Sequence, residues 1–317
     1  MIKKNKIFLS DRTAMTLFFA VILIIAIGSR RPKRILGMHQ SKYWATKISW
    51  NNYSDAVITG DSRILNGISP SAMKETLKGW CIVNYGFAFK LYDTEYLDSL
   101  DDILKINSDK KTIILGITPH SLTEDPKTLG QFSSLKSLSK FDIFIDMHFA
   151  PFFSFFEYMN FNDFVNGMFP STEKTQKIKE FFDDGWLAYS RKPPGEKKEL
   201  ETFKKIYERC QVSPNMIDNM AEYISNWTKS GIRVYGFLVP TCQEMYDLEN
   251  EFSGLNLPEF KNQFQSAGGI WIEIDPAAYD SFDGSHLQRE SAVDLSRTLA
   301  LKINEVEKNN KRIFNQK

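Results

Sequence analysis

The sequence predicts an α/β fold: a five-stranded parallel sheet with helices on both faces, a helical insert between strands 3 and 4, and an N-terminal transmembrane helix. Three observations carry that prediction. Five short apolar runs are each bounded by Gly, Pro or Asn, as strands buried on both faces should be. Segments with the 3.6-residue hydrophobic period of a helix lie between them, and alternation of the two implies parallel strands joined by crossover helices. One interval is far too long for a single crossover and must hold an insert.

Residues Met1 to Lys6 are basic, and the run from Thr13 to Gly28 carries no charge. At about 1.5 Å per residue that run spans roughly 24 Å, slightly short of the roughly 30 Å hydrocarbon core. It reads either as an uncleaved membrane anchor over residues 1–28 or as a cleaved signal peptide. Ala26-Ile27-Gly28 is only a passable cleavage site, which favours the anchor. Lys3, Lys4, Lys6 and Arg12 precede the run, and Arg30, Arg31, Lys33 and Arg34 follow it, so charge gives a weak vote on orientation. A short tail before a large domain is most simply left inside. The expectation is a single-pass protein of the cell membrane with its globular domain extracytoplasmic.

Residues 29–53 are basic, then polar and aromatic, and read as a juxtamembrane connector. The domain proper is expected over 54–308, followed by a polar tail at 309–317. Its strands are Ala56 to Thr59, Cys81 to Asn84, Thr112 to Ile117, Val234 to Val239 and Ile270 to Ile274. Helical stripes follow from Leu97, Leu100, Ile103 and Leu104, from Ile217, Met220, Ile224 and Trp227, and from Ala292, Leu295, Leu299 and Ile303.

The helical insert is placed at about 120–212. Ten of the 25 phenylalanines lie between Phe141 and Phe169. Asp142, Asp146, Glu157 and Asp163 argue against a membrane span there. The rings either form the insert's own small core or offer a surface to the bilayer or a membrane partner.

Composition excludes several classes. Forty basic residues against thirty-nine acidic ones give a net charge of +1, which argues against a nucleic-acid binder that works by neutralising phosphates. Cys81, Cys210 and Cys242 are too widely spaced for a zinc motif or a disulfide framework, although one bridge stays open. No His and carboxylate cluster has metal-ligand spacing, and no Gly-rich phosphate loop is present, so cofactor-free chemistry is the economical inference.

Two segments carry chemistry. Gly60-Asp61-Ser62-Arg63 follows the first strand, where ligand sites gather at the carboxyl ends of open parallel sheets. Near the C-terminus, Ser281-Phe282-Asp283-Gly284-Ser285-His286 sets an Asp three residues before a His. A serine hydroxyl needs a base to take its proton and donors to hold an oxyanion. Of the four histidines, His39, His120, His148 and His286, only His286 has a carboxylate so placed in a turn; Asp283 would orient Nδ1 and leave Nε2 for the serine. Helix capping is the alternative reading of both Asp61-Ser62 and Asp283.

Together these segments resemble the SGNH hydrolase superfamily, also called the GDSL esterase/lipase family, over about residues 53–305. The apolar N-terminus, Gly60-Asp61-Ser62-Arg63, Asn84-Tyr85-Gly86, Ile114 to Pro119 and Asp280 to Leu287 are similar to membrane-anchored bacterial envelope members, such as those of teichoic-acid D-alanylation and polysaccharide O-acetylation. Those members work beside membrane-bound O-acyltransferases. The resemblance implies a flavodoxin-like three-layer sandwich, with Ser62 as nucleophile, His286 as general base and acid, and Asp283 as its orienter. It also implies an oxyanion hole from the N–H groups of Ser62 and Gly86.

The chain departs from the pattern where hydrolytic members carry an Asn, having Gly116-Ile117-Thr118-Pro119-His120 after strand 3. Thr118 or His120 would then supply the third donor, or two backbone donors suffice. Arg63 would bind an anionic substrate group or pair with a carboxylate beneath the site; His120 would line the substrate or sit satisfied in its loop. The function so implied is a serine esterase or O-acyltransferase that moves an acyl group, such as acetyl, on a cell-envelope glycan or acylated polymer. The alternative is a catalytically silent scaffold that binds a membrane-bound O-acyltransferase.

Overall fold

A strand whose side chains are apolar on both faces must be covered on both, and the core divides accordingly. The structure, a computed structural model, describes residues 11–29, 35–125, 131–153, 176–195, 197–276 and 278–314. In chain order its first half contains α1 (Asp11–Ser29), β1 (Ile35–Gly37), α2 (Gln40–Ile48), β2 (Ala56–Thr59), α3 (Ser62–Gly67), α4 (Pro70–Lys74), β3 (Ile82–Asn84), α5 (Thr94–Ile103) and β4 (Thr112–Ile117). A 3-10 turn at His120–Leu122 leads to α6 (Gln131–Lys136), α7 (Lys140–Phe153), β5 (Gln176–Phe181), β6 (Leu187–Lys192) and α8 (Lys198–Arg209). The chain closes with α9 (Pro214–Lys229), β7 (Arg233–Leu238), α10 (Gln243–Phe252), α11 (Leu257–Ser266), β8 (Ile270–Trp271) and α12 (Arg289–Phe314).

The main sheet has the order β3-β2-β4-β7-β8, and every neighbouring pair is parallel. The crossover reverses direction beside β2, the position in an open α/β sheet at whose carboxyl end ligand sites gather. Along β4 the side chains alternate as a strand requires. Ile113, Leu115 and Ile117 face a core shared with α5 and α9, while Ile114 faces a second core shared with α3 and α12. The sheet is therefore the middle of three layers, and its five strands are those expected, within a residue at most ends. The last is shorter: β8 pairs only through Ile270 and Trp271, although Ile272 and Ile274 remain buried.

The insert differs from the expectation. Besides α6, α7 and α8 it contains an antiparallel hairpin, β5 with β6, and β1 adds to β5 in parallel to make a second, three-stranded sheet. The hairpin strand gave no period-2 signal, because Ile178 and Phe181 are three residues apart in a polar segment and only Phe181 is buried.

Residues 29–53 are likewise more than a connector. They supply β1 and α2, which buries Tyr43, Trp44, Ala45 and Lys47. Tyr43 packs on Phe181 at 4.8 Å between ring centroids, and its hydroxyl donates to Gly185 O at 2.5 Å. At the other end, α12 runs on to Phe314 and so takes in most of the expected tail.

The N-terminal apolar run is helical as α1, and its described large apolar side chains, among them Leu17, Phe18, Phe19 and Leu23, are exposed. Among the described residues no helix is long and apolar enough to cross a membrane. The Phe-rich segment is described only to Phe153, and its remainder lies outside the described residues. In α7, Phe141, Phe144 and Phe149 are exposed.

Candidate active site

The turn after β2 is held from several sides. Gly60 has φ +154°, and a Cβ there would stand 2.5 Å from Ile64 Cγ1 and 2.9 Å from Gly116 O, so only glycine fits. Its N–H donates to Tyr96 Oη at 3.2 Å, its carbonyl accepts from Phe87 N–H at 3.1 Å, and Tyr92 Oη donates to Thr59 O at 2.9 Å. Asp61 then caps α3: Oδ1 accepts from Arg63 N–H at 2.9 Å and Oδ2 from Thr118 Oγ1 at 2.7 Å. Ser62 is the first residue of α3 and is partly exposed, while its neighbours Asp61 and Arg63 are buried.

The second segment is also built by its own side chains. Asp283 Oδ1 accepts from the backbone N–H groups of Ser285 and His286 at 2.9 and 2.8 Å. Ser281 Oγ accepts from Gly284 N–H at 2.8 Å. Gly284 has φ +94° and its carbonyl receives Thr241 Oγ1 at 3.0 Å and Cys242 Sγ at 3.0 Å, so the Pro240-Thr241-Cys242 loop braces the turn. Leu287, buried, anchors it to the core below α12.

These two segments meet. Asp283 Oδ2 lies 2.8 Å from His286 Nδ1, and His286 Nε2 lies 2.8 Å from Ser62 Oγ. Burial pushes the Asp283 carboxyl up, but the hydrogen bonds and charge of His286, with two backbone N–H groups, outweigh it and hold the group below its ordinary value. An ionised Asp283 accepts a hydrogen bond from Nδ1–H, which leaves the Nε2 lone pair for the serine O–H. Phe282 stacks on the imidazole at 5.6 Å between centroids and restricts its rotation. The arrangement can deprotonate Ser62 and return the proton to a leaving group.

Arg63 is not open to substrate. It forms a buried bidentate pair with Glu249, 2.6 Å to Oε1 and 3.2 Å to Oε2, and its Nε donates to Ser285 Oγ at 2.9 Å. Burial alone would lower its pKa, but Glu249 raises it and keeps the guanidinium charged. Tyr207 Oη adds a third contact to Glu249 at 3.0 Å, and Phe203 lies under the guanidinium at 5.1 Å. Arg63 thus ties the serine helix to the residue beside His286. Of the two readings open from the sequence, the carboxylate pairing is the one that forms.

Two expected oxyanion donors are engaged elsewhere. Gly86 N–H donates to Asn84 Oδ1 at 2.9 Å, and the residue's Cα packs so closely on α3 that a Cβ would stand 2.6 Å from Leu65 N. Thr118 is buried, its hydroxyl spent on Asp61 and its N–H on Ser121 Oγ at 3.2 Å. His120, expected to touch substrate, is wholly buried. His39 begins α2 and His148 lies exposed on α7.

Glu249, Ser285 and Tyr207 were missed from sequence. One signal was legible: Met245 and Glu249 are four residues apart on one face of α10, and both are buried. An acidic residue on the apolar stripe of a helix needs a buried cation. Glu199, in the first turn of α8, was missed too; burial raises its carboxyl, with the charge of His286 opposing. Among the described residues, no group of His, Cys, Asp and Glu has the arrangement of a metal site, and the three cysteines are free.

No protein-family model matches the chain, and no curated protein matches it. Among solved structures it is similar to a protein provisionally described as a platelet activating factor from Streptococcus pneumonia, at 12% identity, 89% of this chain, 96% of that one and a TM-score of 0.36. It is also similar to Est24, a carbohydrate acetylesterase from Sinorhizobium meliloti, at 14% identity, 79% of this chain, 99% of that one and a TM-score of 0.35. Neither likeness bears on the chemistry of the site.

Proposed function

We propose that the protein is a membrane-anchored serine esterase or O-acyltransferase that moves an acyl group, such as acetyl, to or from a cell-envelope glycan. One observation carries the reading: Ser62 Oγ, His286 and Asp283 form a continuous pair of 2.8 Å contacts at the carboxyl end of the sheet. Ser62 Oγ attacks the acyl carbonyl as His286 Nε2 takes its proton, and the alcohol leaves with that proton. Water or a sugar hydroxyl then gives a proton to His286 and attacks the acyl-serine, and Ser62 is restored as the proton returns. The Ser62 N–H, in the first turn of α3, is one donor to the oxyanion.

Attachment to the membrane rests on α1, whose described apolar side chains face solvent rather than the domain. Docking to a membrane-bound O-acyltransferase rests on the exposed phenylalanines of α7. The globular domain then lies on the extracytoplasmic side, where glycans are acylated.

A fluorophosphonate probe tests the chemistry. It should label the full chain, and Ser62→Ala should abolish the label; undiminished labelling of that variant would sink the assignment. Extraction of the full chain only by detergent, and not by alkaline carbonate, checks the anchor.

A further inference from the structure

Two irregularities meet at a single ring contact beside the serine turn. His120 is wholly buried, and neither Nδ1 nor Nε2 has a hydrogen-bond partner. A buried polar atom left unpaired forfeits about 1–3 kcal/mol of hydration, so a native fold retains one for a reason. Nδ1 stands 4.0 Å from Asp61 Oδ2, beyond hydrogen-bond reach, and that oxygen already accepts from Thr118. Burial lowers the imidazole's pKa, with Asp61 opposing, so the ring stays neutral and holds one N–H to give.

The second irregularity is Phe89. Its φ is +52°, a left-handed conformation that costs a bulky residue about 1–2 kcal/mol. Its ring is 43% exposed and meets His120 edge to face at 5.9 Å between centroids, with Phe203 on the same imidazole at 5.7 Å. The chain is pinned on both sides of it. Phe87 is buried and its N–H holds Gly60 O, while Lys90 is buried, pairs with Asp93 at 2.6 Å and lies over Phe132. The strain therefore falls on one residue whose half-exposed ring lies against the imidazole.

The neighbouring donors are committed. Thr118 and Gly86 are spent within the fold, whereas the imidazole of His120, beside the residue that precedes Ser62, is not. We infer that Phe89 gates His120, and that when the ring rotates away the His120 N–H donates to the carbonyl oxygen of the acyl group bound at Ser62. His120 is then a catalytic residue, and Phe89 a positioning residue that keeps water from it between turnovers. The inference rests on the acyl-transfer reading above.

Hydrolysis of p-nitrophenyl acetate by the full chain in detergent tests it. His120→Leu should lower kcat by about 100-fold or more, the cost of one oxyanion donor. A purely structural His120 predicts a less stable protein. A gated donor predicts the opposite, because leucine removes two orphaned polar atoms, so the urea midpoint of His120→Leu should equal or exceed the wild type. His120→Asn, which keeps an N–H, should recover about tenfold of the lost rate. Phe89→Ala should speed carbethoxylation of His120 by diethylpyrocarbonate, read by peptide mass.

A His120→Leu protein with wild-type kcat, or a His120 that stays unmodified in Phe89→Ala, overturns the inference. Either result alongside intact fluorophosphonate labelling of Ser62 leaves the acyl-transfer reading standing. Loss of wild-type labelling sinks both.

Discussion

Arg63 and Lys47 are both buried basic side chains, 2% and 0% exposed, yet they are satisfied in opposite ways. Arg63 has a carboxylate, a serine hydroxyl and an aromatic face, and it joins α3 to the His286 turn and to α10. Among the described residues Lys47 has no ion-pair partner. It donates to Gly185 O at 2.9 Å and to Tyr43 Oη at 3.2 Å, within a cage of Tyr43, Trp44 and Phe87 rings at 5.3, 5.7 and 5.0 Å. The first charge is paired and holds the candidate site. The Lys47 amine is held by a carbonyl, a hydroxyl and ring faces, and joins the second sheet and its turn to α2. Of these two buried basic groups, Arg63 adjoins the candidate site because its partners include Ser285, beside His286.

The largest effect should come from breaking the paired cation. Glu249→Leu leaves Arg63 charged in an apolar site and should cost about 3–5 kcal/mol in urea unfolding. Next, the double variant Arg63→Met with Glu249→Leu should regain most of that stability. It should hydrolyse p-nitrophenyl acetate no better than Glu249→Leu, because the link to Ser285 is gone; a restored rate would refute the positioning role of Arg63.

Lys47→Met should do far less, within about 1 kcal/mol of wild type, since methionine matches the volume and Tyr43 still serves the Gly185 carbonyl. A loss as large as that of Glu249→Leu would erase the contrast.

The smallest effect is in pH dependence. Burial depresses the Lys47 amine well below the usual lysine value, with Asp184 opposing. Between that depressed value and the ordinary one, the unfolded chain binds a proton that the folded chain lacks, so stability rises with pH in that window. Tyr43, raised by burial, turns the slope downward above about pH 10, where only the unfolded chain ionises. Urea midpoints from about pH 7 to about pH 9.5 should show a contribution rising with pH that Lys47→Met removes.

The main sheet and the Ser62, Asp283 and His286 constellation were legible for one reason: each depends on short-range pattern. β4 reads as a strand because Ile113 to Ile117 carries no polar side chain, and the Asp283 turn reads as one because its hydrogen bonds close within three residues. The second sheet was not legible, since β1 and β5 are separated by more than a hundred residues and β1 is only three residues long. The fates of Gly86 and Thr118 were equally hidden. Their sequence positions suit donors, but Asn84 Oδ1 and Ser121 Oγ claim their N–H groups through local geometry that residue type does not reveal.

By itself the sequence determined the five strands of the main sheet, the scarcity of histidines and the local shape of both turns, because period, composition and hydrogen bonds over a few residues suffice for each. Only the tertiary structure decided that Arg63 points inward to Glu249, that the connector folds into the domain, and that His120 lies unpaired beneath Phe89. Those outcomes depend on which distant side chain reaches a buried group first, and burial makes the answer decisive by removing water as the alternative partner.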